Sequence, residues 1–116
     1  MITLDTLRAY GANVDEGLAR CMNMEPFYLK IVGMVLADPN FDNLKSAMDA
    51  GDAEAAFEAA HALKGATGNA SLTPIYTPVC ALSDTLKGHT DEPIAPQCRQ
   101  LVAQTLEQLD RLKALQ

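Results

Sequence analysis

Apolar residues recur along the chain at intervals of three and four, and no stretch alternates with the period of two that a half-buried strand needs. The spacing predicts a short leading helix over 3–10, with Thr3 as N-cap, Leu4 and Leu7 on one side and Gly11 as its stop. Val14, Leu18, Cys21 and Met22 then stand at i, i+4, i+7 and i+8, one face of a second helix. Asn23 followed by Met24, Glu25 and Pro26 reads as a fresh N-cap and first turn, where the missing proline N–H costs nothing. From Phe27 to Ala37 the chain is apolar nearly all round, as expected of a helix covered on more than one side.

Asp38 and Pro39 fit N-cap and N1 of the next helix, with Phe41, Leu44 and Met48 inward and Gly51 as its end. Asp52 caps a helix over 53–69. Thr73-Pro74 starts another that stops at Gly88, and Pro78 suggests a loose first turn with regular helix only from about Thr77. A last helix follows Pro93 and Pro96 and carries Cys98, Leu101, Val102, Leu106, Leu109 and Leu112 at helical spacing. Short joints make sequential neighbours antiparallel. The expected fold is therefore all-α: an up-down antiparallel four-helix bundle with short additional N-terminal helices, one domain over 1–116.

Composition agrees and narrows the function. The 116 residues include few aromatics and no Trp, and 15 acids against 9 bases give a formal charge of −6, which repels phosphate backbones and anionic headgroups. Neither nucleic acid nor a membrane is expected as a partner. The start MITLDTLRAYG lacks the apolar segment of a signal peptide, and the run Met34 to Ala37 is far short of a span, so a cytoplasmic location is expected. Cys21, Cys80 and Cys98 are odd in number, without CxxC or zinc spacing, and fit reduced core positions, although a redox pair among them stays open.

The helix over 53–69 carries the candidate chemistry. On a helical wheel centred on Ala60, residues Ala53, Ala56, Phe57, Ala60, Leu63 and Thr67 fall within about 60° and form the core face. His61 lies about 100° away, on a border stripe with Glu54, Glu58, Gly65 and Gly68. Glycine inside a helix costs up to roughly 1 kcal/mol relative to alanine, so two of them one and two turns beyond a histidine call for a reason: they leave bare backbone where a second macromolecule can approach. Lys64, at i+3, can bring an ammonium beside the ring. A surface imidazole that is partly neutral near pH 7 can act as a nucleophile toward a phosphoryl group, with the lysine offsetting the anionic oxygens. The chain has no P-loop, no kinase-type Gly-rich loop and no metal cage, so donor and acceptor must come from elsewhere.

The segment His61-Ala62-Leu63-Lys64-Gly65-Ala66-Thr67-Gly68-Asn69 resembles the His-x-x-Lys-Gly signature of histidine-containing phosphotransfer (HPt) domains, and the likeness extends through Ala60, Leu72, Ile75, Cys80 and Leu82. The resemblance implies a carrier that takes a phosphoryl group from the phosphoaspartate of one receiver domain and passes it to another. His61 would be the phosphoacceptor, Lys64 the electrostatic helper and Gly65 the clearance position. Gly68 and Ser83 join the expected docking surface; at Ser83 family members often carry Gln or Glu facing the histidine, so this side chain is a short departure. Partners would be receiver domains of response regulators or a hybrid histidine kinase, with Mg²⁺ in the receiver and no cofactor, metal or kinase activity in this chain, which is expected to be a monomer.

Two other classes compete. A helical interaction module could dock a receiver domain without carrying phosphate, keeping the glycine patch and having no need of His61. A metal carrier or small enzyme would need more convergent groups than His61 and the loop residue His89 supply.

Overall fold

Thr3 caps α1 (Leu4–Tyr10) by accepting from the Thr6 N–H at 3.1 Å, while the Thr6 hydroxyl accepts from the Thr3 N–H at 2.9 Å, and Gly11 ends the helix in the left-handed region. A computed structural model, which describes all 116 residues, continues from there with α2 (Val14–Arg20), α3 (Glu25–Leu36), α4 (Asn40–Ala50), α5 (Ala53–Asn69), α6 (Thr73–Leu86) and α7 (Pro96–Lys113). There is no strand. Helices α4 to α7 form an up-down bundle in which each packs on the next and α4 closes against α7. No helix is long and apolar enough to cross a membrane.

The three N-terminal helices cover the end of the bundle where α5 turns into α6 and α7 finishes. The Tyr28 hydroxyl donates to the Ala70 carbonyl at 2.8 Å, the Asn13 N–H to Ser71 at 2.9 Å, and the Tyr10 hydroxyl to Gln108 at 2.9 Å. Leu7, Val14, Tyr28 and Val32 belong to the same buried cluster as Leu63, Leu82 and Leu112, so one core serves the whole chain. Cys21 and Cys98 are buried, Cys80 is half-buried, and all three are free; burial pushes the Cys98 thiol upward, which suits an unreactive core residue.

Several expectations are corrected at the N-terminal joints. Met22 does not extend the inner face of α2: the helix ends at Arg20, and Met22 and Asn23 both take positive φ, 56° and 58°, leaving Met22 exposed. The turn that reverses the chain consumes the residues that the periodicity assigned to the helix. Asn23 is accordingly no cap, and Met24 occupies that position without a side-chain bond. Helix α3 buries Tyr28, Val32 and Val35 but leaves Phe27 and Met34 exposed, so it is covered on one side only. Asp38 does supply a cap-like bond, its carboxylate accepting from the Asn40 N–H at 2.8 Å, although α4 begins one residue later than expected.

Pro78 also differs from expectation. Helix α6 runs unbroken through it, with no loose first turn. A proline's φ is already helical, and so near the N-terminus only the bond toward Pro74 is forfeited, while the ring itself is buried.

Candidate functional site

The Asp52 carboxylate accepts from the Ala55 N–H at 3.1 Å and starts α5 at the residue its sequence marks. The helix buries Ala53, Ala56, Ala59, Ala60, Leu63 and Thr67, four of them alanines, which lets α4 and α6 come close to its axis. Ala59 was not expected on this face and is buried with the others. Phe57, expected in the core, is only half-buried. It stacks on His61 one turn later, with ring centroids 5.8 Å apart and planes 23° from parallel. An aromatic wall therefore limits how the imidazole can turn.

His61 itself is exposed at the middle of α5. Imidazole hydrogen bonding within the protein is confined to the other histidine, His89, which pairs with Glu92 at 2.6 Å in the loop before α7. Both His61 nitrogens are therefore open to an incoming group. The ring lines none of the five main clefts of the molecule. Enzymes that act on small substrates need concavity to exclude water; an exposed imidazole outside the main clefts suits a partner that brings its own active site.

Lys64 is half-buried one turn beyond, leaning toward α6, where its Nζ lies 3.7 Å from an Asp84 carboxylate oxygen. At Gly65 an added Cβ would meet nothing within 4 Å, so the position opens directly to solvent beside the ring. Gly68 is different. A Cβ there would come within 3.0 Å of the Tyr76 ring, so this glycine allows α6 to approach α5 and is not bare backbone offered to a partner. Its carbonyl accepts from the Arg20 guanidinium at 3.1 Å, and Arg20 is held in turn by Glu16 at 2.8 Å.

Ser83 does not meet the expectation of a docking residue facing the ring. It is 3% exposed, part of the inner face of α6, and makes no hydrogen bond to His61. The neighbouring Asp84 is the polar side chain that α6 presents to the site, and it was missed, as were the Phe57 stack and the Tyr76 cover. No sequence signal marked Asp84, because the register of α6 against α5 is set by packing. Gly68 against Tyr76 puts Lys64 level with Cys80, and a lysine stem spans the further turn to Asp84. No group of three or more His, Cys, Asp or Glu side chains converges as a metal site.

A family model described as the Hpt domain matches residues 36–114, which takes in the end of α3 and all of α4 to α7. No curated protein and no solved structure matches the chain.

Proposed function

The chain belongs to the Hpt domain family, whose members act in histidine phosphotransfer within two-component signalling, and on that premise we propose that His61 is its phosphoacceptor. The observation that carries this reading is the exposed, unpaired imidazole on the open face of α5, with an ammonium one turn away and open space at Gly65.

In the proposed step a receiver domain docks over the Gly65 side of α5 and brings a phosphoaspartate to the ring. The lone pair of the unprotonated ring nitrogen attacks phosphorus, an N–P bond forms, and the P–O bond to the aspartate breaks with its electron pair returning to the carboxylate. A neutral imidazole needs no base for this, because its other nitrogen keeps the proton throughout. Lys64 offsets the phosphoryl oxygens as charge builds on them, and Phe57 keeps the ring plane steady. Reversal toward a second receiver domain passes the group on. Mg²⁺ belongs to the receiver partner, and the carrier has no kinase activity of its own.

Incubation with a phosphorylated receiver domain should leave acid-labile, alkali-stable phosphate on the protein. His61→Gln should abolish the label while its helical circular dichroism and melting transition stay those of the wild type. Label that survives the substitution would refute the assignment. A module that only docks would bind the receiver equally well in both forms and never become labelled.

A further inference from the structure

Of the ion pairs in the protein, only Lys64–Asp84 joins two helices of the bundle; the others lie within the N-terminal helices, the loop before α7, or a single helix. Its 3.7 Å separation is longer than a hydrogen bond, and its side chains are 35% and 66% exposed, so the contact is electrostatic and readily exchanged. Asp84 is held in place by its own backbone: Ser83 before it and Leu82 before that are buried in the inner face of α6. On α5, Lys64 follows His61 by three residues, the spacing that puts two side chains on neighbouring positions of the same surface. One ammonium thus pairs with a carboxylate on α6 while its stem leaves α5 on the surface that carries the ring.

Resting on the carrier reading, we propose that Asp84 is a positioning residue for Lys64. In the unphosphorylated protein its carboxylate draws the ammonium toward α6, clear of the ring nitrogens that must receive phosphorus. Once His61 is loaded, the phosphoryl group and Asp84 compete for the same ammonium. That competition withholds part of the stabilisation Lys64 could give the phosphohistidine and keeps the group easy to hand on. A carrier needs this poise: a phosphohistidine held too firmly stops the relay.

The test is the equilibrium of label between a phosphorylated receiver domain and the carrier. Asp84→Asn should shift it toward the carrier by about two- to fivefold, the range that partly exposed ion pairs support, and slow onward transfer to a second receiver by a similar factor. Asp84→Glu should restore wild-type behaviour, and the shift should shrink at high salt. In a Lys64→Ala background Asp84→Asn should change the equilibrium much less. An unchanged equilibrium in Asp84→Asn, with the wild type labelled normally, would overturn the proposal alone, and so would an undiminished shift in the Lys64→Ala background. A wild-type protein that takes no label would bring down the carrier reading and this inference with it.

Discussion

Gly65 and Gly68 stand three residues apart on one helix and answer to different demands. At Gly65 a side chain would point into solvent without touching the protein, so nothing in the fold requires glycine there, and the helix forgoes up to about 1 kcal/mol by lacking alanine. On the proposed function, a docking partner that must reach the His61 ring would supply the missing reason. Gly65→Gln should therefore leave the melting temperature equal or higher and slow phosphoryl transfer by roughly tenfold or more, through a side chain that stands in the approach path. Stopped-flow or quench-flow transfer from a phosphorylated receiver checks this, and a wild-type rate would remove the clearance argument. Gly68→Ala should gain less than Gly65→Ala or lose stability, since its Cβ must displace the Tyr76 ring by a few tenths of an ångström and that offsets the helix-propensity gain of about 1 kcal/mol, with transfer changed less than in Gly65→Gln.

At the scale of elements, legibility followed how local the determining interaction is. Helix α5 was readable to the residue because Asp52 caps it and the alanine-rich stripe has a single helical phase. The joints between α2 and α4 were misjudged because the deciding force there is not local: Met22 and Asn23 take left-handed backbone so that α3 can lay Tyr28 against α2, and no periodicity encodes that. The same limit hid the site's neighbours. His61, Lys64 and Gly65 lie on one helix and were visible as a spacing, whereas Asp84 and Tyr76 reach them across the α5–α6 contact, whose register only the packing fixes. Gly17 marks the other such contact. A Cβ there would sit 2.4 Å from the Tyr28 ring, closer than any real contact, so the two helices meet through bare backbone. Gly17→Ala should cost about 1–3 kcal/mol in urea unfolding, more than any helix-propensity gain returns. An unchanged midpoint would show that the α2–α3 joint yields freely.

Across the whole molecule, α1 to α3 lie almost entirely outside the residues matched by the family model, and yet they share its core through Tyr28 and Tyr10, whose hydroxyls donate to carbonyls of the bundle. Donation requires the phenols to stay protonated. Burial pushes Tyr28 up to about 12 and raises Tyr10 as well, while tyrosines of the unfolded chain ionise near 10. Between these values the unfolded chain gives up protons that the folded one keeps, so the unfolded state binds fewer protons and stability must fall as pH rises; below about pH 10 the contribution is complete. Urea midpoints measured from pH 8 to pH 11 should therefore decline above pH 10. Tyr28→Phe separates this linkage from general alkaline destabilisation. The variant loses the bond to the Ala70 carbonyl and should be less stable at pH 8 by about 1 kcal/mol, but its decline above pH 10 should be shallower than that of the wild type, because one raised phenol has been removed. Parallel declines in the two proteins would mean that the Tyr28 hydroxyl is not what fastens the N-terminal helices to the turn between α5 and α6, a few residues from the surface that a receiver domain would meet.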